Sequence, residues 1–238
     1  MKSPIWALVV VAVALGPLVP ITAQGTTGEI RGTVVDFRGQ PLTAPTVELR
    51  GPGVYRSSDL DRAGTYRFSA LPAGEYVMTI GAQMFHDATI RSIRLRNNEV
   101  RVLPPIELTF AGFECNPRIP SYFRPLDQPN TAEAVLGGIV SAEHQPTVAQ
   151  ANVVLIAPEA GVISSTTTDR EGHFSFNASA KRRDYRIEIS KPGYFTEEFT
   201  DFAVQVGFET VYGLDLQPCP PGRCQPSLKP IRVLPGCA

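Results

Sequence analysis

The chain has 238 residues, 43% hydrophobic and 19% charged, and its 22 Lys plus Arg against 23 Asp plus Glu leave a formal net charge of −1. That length suits one or two ordinary domains with buried cores. The charge balance argues against a nucleic-acid or anionic-membrane binder, which would carry a concentrated basic excess, and the lone basic cluster Lys181-Arg182-Arg183 runs straight into Asp184, as a solvated hairpin turn would.

At the N-terminus Lys2 precedes an apolar run from Ile5 to Leu15, which Gly16, Pro17 and Pro20 break. The run is too short to cross ~30 Å of hydrocarbon as a helix, and Ala23 is the small residue that a signal peptidase requires. Residues 1–23 are therefore expected to be a signal peptide, with the mature chain starting near Gln24. The expected location is secreted, periplasmic or cell-surface, with no membrane span after signal removal.

Residues 26–113 read as short strands between tight turns. Ile30-Arg31-Gly32-Thr33-Val34-Val35-Asp36 alternates apolar with polar, as a strand with one buried face must. Arg38-Gly39-Gln40-Pro41 turns the chain, and Thr46 to Arg50 forms the next strand, ended by Gly51-Pro52-Gly53. After a turn from Asp61 to Gly64, Tyr66 and Phe68 share one face of a strand, and Tyr76, Met78 and Ile80 share one face of another. Ile90 to Leu95, Val100 to Leu103 and Ile106 to Phe110 complete the segment. Roughly six or seven short strands in so short a segment predict an antiparallel sandwich.

The block Asp61-Arg62-Ala63-Gly64-Thr65-Tyr66-Arg67-Phe68 returns as Asp169-Arg170-Glu171-Gly172-His173-Phe174-Ser175-Phe176. Around it the order of strands also returns: Gly138-Ile139-Val140 answers Gly32-Thr33-Val34, Asn152 to Leu155 answers Thr46 to Leu49, and Tyr185 to Ile189 answers Tyr76 to Ile80. A repeat of this length means one module used twice, so residues 134–218 form a second sandwich and the fold class is all-β, two tandem antiparallel β-sandwiches. The intervening residues 114–133 carry Pro117, Pro120, Pro125 and Pro129, which favour an extended, fairly stiff linker. Tyr122 and Phe123 within it are expected to pack on a module.

Cys115, Cys219, Cys224 and Cys237 are even in number and suit disulfides in an exported chain. All three pairings remain open, and stapling of the Cys- and Pro-rich tail, residues 219–238, is the preferred reading. Cys219 and Cys224 lack the Cys-x-x-Cys spacing of redox and zinc motifs.

Three blocks in the first module, Gly32 to Leu42, Asp61 to Phe68 and Leu71 to Tyr76, resemble the carboxypeptidase regulatory-like family. The second module is similar in Asp169 to Phe176 and in Lys191-Pro192-Gly193-Tyr194, but has Lys181 to Asp184 where the first has Pro72 to Glu75. The resemblance implies prealbumin-like sandwiches of the kind appended to zinc carboxypeptidases, placed before outer-membrane transporters or strung along exported bacterial proteins.

Beside this architecture no catalytic constellation appears. A zinc carboxypeptidase needs His-x-x-Glu, whereas His86, His144 and His173 are followed three residues on by Thr89, Thr147 and Phe176. A Gly-x-Ser-x-Gly nucleophile elbow is missing as well. Asp61 and Asp169 read as acceptors for turn amides rather than calcium ligands. No catalytic, cofactor-binding or metal residue is assigned, and the expected role is structural or protein-interacting. Sheet edges would recruit partner strands, and the partner would be a protein or a cell-surface polysaccharide. For the polysaccharide alternative Tyr194 and Phe195 are the candidate ligand contacts; an accessory role in a cell-envelope transport or peptidase system is the other.

Overall fold

The computed structural model describes residues 27–42, 44–111, 118–127, 133–157, 159–180, 184–220, 222 and 224. The signal segment, the Lys181-Arg182-Arg183 cluster, Cys115 and Cys237 lie outside the described residues.

The described residues form strands and no helix. The first eight strands are β1 (Gly28–Val35), β2 (Thr46–Gly51), β3 (Val54–Asp59), β4 (Thr65–Leu71), β5 (Gly74–Gly81), β6 (Ala88–Leu95), β7 (Val100–Val102) and β8 (Ile106–Glu107). Next comes β9 (Tyr122–Pro125). The remainder are β10 (Glu133–Ala142), β11 (Asn152–Ala157), β12 (Gly161–Thr167), β13 (His173–Ser179), β14 (Arg186–Ser190), β15 (Glu197–Phe199) and β16 (Phe208–Leu216).

Three sheets result. One has the order β4-β1-β7, with β8 also on β1; a second has the order β12-β11-β14-β15; and a third, of eight strands, runs β13-β10-β16-β9-β6-β5-β2-β3. Hairpin neighbours pair antiparallel. Parallel pairs are added where the chain returns to the first strand of each module, β7 and β8 on β1 and β16 on β10.

Period-two alternation decides which side chains meet. In β1, Ile30, Gly32 and Val34 face inward; in β10, Leu136, Gly138 and Val140 do the same. Gly32 lies opposite Tyr66 and Gly138 opposite Phe174, and a Cβ on either glycine would collide with the facing ring. Each module therefore has a glycine where the shared block brings its aromatic residue inward. Buried Ile30, Leu49, Tyr66, Met78, Ile80 and Ile90 belong to the first core, and Leu136, Val153, Leu155, Phe174, Ile187 and Tyr212 to the second.

The repeated aspartates hold turns. Asp61 Oδ1 accepts from the amides of Ala63 at 2.9 Å and Thr65 at 2.8 Å. Asp169 Oδ1 accepts from Glu171 at 3.0 Å and His173 at 2.7 Å. Gly64 and Gly172, at φ 68° and 77°, let each turn close and offer their carbonyls to Val34 and Val140 at 2.9 Å.

Candidate interaction groove at the module junction

Within the segment read as a linker, β9 is inserted into the central sheet. It pairs antiparallel with β16 through Phe208↔Pro125, Glu209↔Arg124, Thr210↔Phe123 and Val211↔Tyr122. On its other side it meets β6, in parallel, at the single pair Ile90↔Phe123. Alternation sends Phe123 into the first core, where its ring meets Phe208 edge-on with centroids 6.0 Å apart. Phe208 comes from the last strand of the second module, so that module contributes to the first core. Arg118 secures the start of this segment, with its guanidinium over the rings of Phe199 and Phe202 at 5.2 and 5.7 Å and its amide donating to Asp201 O at 2.9 Å. Its burial disfavours the charged form and lowers its pKa, against the pull of Asp201.

A second clamp lies alongside. Gln205 Nε2 donates to Glu107 O at 2.7 Å, and Gln205 Oε1 accepts from Glu107 N at 3.1 Å. One side-chain amide thus imitates a strand partner for the end of β8. Arg101 on β7 completes the seam, donating to the carbonyls of Leu126 at 3.1 Å and Asp127 at 3.4 Å.

The β6–β9 ladder consists of the single pair Ile90↔Phe123, and a groove of about 410 Å³ is lined by Ser92, Arg94, Arg124, Pro125, Leu126 and Asp127. Ser92 sits at φ 56°, at the irregularity opposite Tyr76 to Met78 in the β5–β6 ladder. Arg124 is paired with Glu209 at 2.6 Å. Arg91 stacks on the Tyr122 ring at 4.8 Å. The Arg94 side chain is exposed and makes no hydrogen bond or ion pair with any described residue, while its backbone belongs to the β5–β6 ladder.

The residues singled out from sequence lie elsewhere, near one end of the second module. Tyr194 and Phe195 are both half-buried. The Tyr194 ring packs against the second core, its hydroxyl donates to Gln145 Oε1 at 2.6 Å, and its backbone bridges to Pro218. The Phe195 amide donates to Gln217 O at 3.0 Å. Cys219 and Cys224 form a disulfide, and the Cys219 amide donates to Gly193 O at 2.9 Å, which fastens the start of the tail to the Tyr194 turn. Among the described residues no group of three His, Cys, Asp or Glu side chains is placed to hold a metal ion, and no helix is long and apolar enough to cross a membrane.

The model of the carboxypeptidase regulatory-like domain matches residues 29–109 and again residues 135–217, more than half of the chain. The chain belongs to this family. The two matches coincide with the two sets of strands on either side of β9. Comparison with curated proteins yielded no match. Among solved structures, the shaft pilin SpaA from Lactobacillus rhamnosus GG is 10% identical over 82% of this chain and 99% of its own, with a TM-score of 0.32. The Bacillus anthracis TIE protein is 11% identical over 81% of this chain and 34% of its own, at 0.32. A streptococcal ancillary pilin is 12% identical over 83% of this chain and 64% of its own, at 0.29. The chain thus spans about a third of the length of the TIE protein and under two thirds of that of the ancillary pilin.

The family's repeat also exposes a residue that sequence reading passed over. Met84 O accepts from Ala111 N at 2.8 Å just as Gly193 O accepts from Cys219 N at 2.9 Å, so Met84 is the counterpart of Gly193. Both have positive φ, 68° and 89°, a conformation easy for glycine and costly for methionine. Gln205 and the Ser92–Arg94 groove carry no motif. Only the insertion of β9 brings them into relation with residues of the other module.

Proposed function

We propose that this chain is an exported, non-catalytic pair of sandwich modules, joined into one elongated structural unit that serves as a spacer and protein-interaction element. The observation carrying this reading is the eight-stranded sheet that passes through both modules by way of β9. A flexible linker would let the modules reorient; a strand paired on both sides, with Phe123 and Phe208 in one core, holds them at a set angle and separation. The shared Asp-Arg-x-Gly-x-aromatic-x-Phe block supports a structural role, because its aspartates bind turn amides and its aromatics fill cores. Export is supported by the Cys219–Cys224 disulfide, since such bonds persist in oxidising compartments.

The test is the distance distribution between spin labels at exposed Ser57 on β3 and Ser165 on β12, read by double electron–electron resonance on the full chain. A single narrow distribution is expected. A broad one would show modules that move independently and would remove the basis for the spacer reading. Turnover of peptide, ester or glycoside substrates that a single substitution abolishes would overturn the non-catalytic part.

A further inference from the structure

Resting on the interaction reading, we infer that the groove lined by Ser92, Arg94 and Arg124 to Asp127 is a docking site for an extended acidic peptide, whose carboxylates pair first with Arg94. Past Ile90, no described strand pairs with the β9-facing edge of β6, while β5 covers its other edge. An extended chain is the shape that fits beside such an edge. The opposite wall does not compete for the same role. Pro125 has no amide hydrogen, the Leu126 amide is given to Gly207 O at 2.9 Å, and the Leu126 and Asp127 carbonyls receive Arg101.

Charge favours an acidic occupant. Arg91, Arg94 and Arg124 converge on this part of the outer face, against Glu209 and Asp127, in a chain whose overall charge is −1. Arg124 donates through Nη1 to Glu209 at 2.6 Å and through Nη2 to the Tyr122 hydroxyl at 3.4 Å, whereas Arg94 presents an intact guanidinium fork, the geometry that binds carboxylates bidentately. A peptide is favoured over an anionic polysaccharide because the groove offers no open aromatic platform. Tyr122, the ring beside it, is buried and already covered by Arg91 and Arg124.

The experiment uses the full chain and two labelled probes, a peptide alternating Glu with Val and its counterpart alternating Gln with Val, followed by fluorescence anisotropy. The Glu peptide is expected to bind at least about tenfold more tightly, with the difference shrinking as salt is raised. Arg94→Glu should remove that preference with an unchanged far-UV spectrum, and Asp127→Asn should strengthen binding severalfold. Equal binding of the two peptides, or undiminished binding by Arg94→Glu, overturns the inference. Displacement of the peptide by polygalacturonate at lower concentration assigns the groove to an anionic polysaccharide and overturns it too. A protein partner captured equally by wild type and Arg94→Glu leaves the interaction reading standing and removes the groove from it.

Discussion

Phe123→Ala tests the junction most directly. Phe123 is buried, lies on β9 and packs edge-on against Phe208 from β16. Truncating a buried phenylalanine typically costs about 3–5 kcal/mol, which combines lost transfer energy with the residual cavity. The wall of that cavity is shared by the two modules, so the whole loss should appear in one cooperative transition. Urea unfolding followed by far-UV circular dichroism is the assay. For a chain of this size the slope is roughly 2–3 kcal/mol/M, so the midpoint should fall by about 1–2.5 M while the transition stays single. Two transitions in the wild type, or a midpoint shift below about 0.5 M, would refute the argument that β9 and Phe208 couple the cores.

The other predictions concern the seam, one core, the outer face of the first sheet and the Tyr194 turn. Gln205→Ala leaves the amide and carbonyl of Glu107 without the side-chain partner they now share, and should cost about 1–3 kcal/mol; hydrogen exchange at the Glu107 amide should accelerate with it. Tyr66→Phe should stabilise by about 1 kcal/mol, because the Tyr66 hydroxyl is fully buried without a hydrogen-bond partner and the equivalent Phe174 carries none. Burial raises the Tyr66 pKa above its ordinary 10, so the wild type should lose stability as pH rises beyond that value and Tyr66→Phe should lose less, as read from unfolding midpoints between neutral and alkaline pH. The Glu29 carboxyl is held below its ordinary 4.5 by hydrogen bonding to Arg67, with further help from the Arg67 charge, Ser69 and Arg31 outweighing burial. Its contribution is therefore present above pH 4.5 and lost as pH falls through the lower folded value. Glu29→Gln should flatten the acid limb of stability against pH, and an unchanged limb would contradict the sign. Replacing Tyr194 and Phe195 with Ala should leave any glycan-array signal unaltered if their role is packing, whereas loss of a reproducible signal would support the carbohydrate alternative.

Much of the fold was legible in the residues because it depends on local rules. Alternation identified the inward faces of β1, β4 and β5, and the Asp-Arg-x-Gly block identified one turn used twice, with Asp61 and Asp169 satisfying backbone amides as their side-chain chemistry requires. The packing of Tyr122 and Phe123 was likewise expected from aromatic burial. Other features have no local signature. A proline-rich stretch favours an extended backbone whether it remains a linker or becomes a strand, so nothing in residues 122–125 names β16 and β6 as neighbours. Gln205 reads as an ordinary polar residue until Glu107 is brought opposite it.

The module, its duplication and the side of each principal strand that faces a core follow from the residues alone, because strand periodicity and turn chemistry act over a few residues. Three-dimensional folding is what makes the modules share one sheet and part of one core, joins Cys219 to Cys224, and sets Ser92, Arg94 and Arg124 around a common groove. The disulfide depends on which of four cysteines meet, and the shared sheet, core and groove depend on pairings between segments far apart in the chain. Such pairings are selected by how complete edges and faces fit together, a property that no short stretch of residues carries alone.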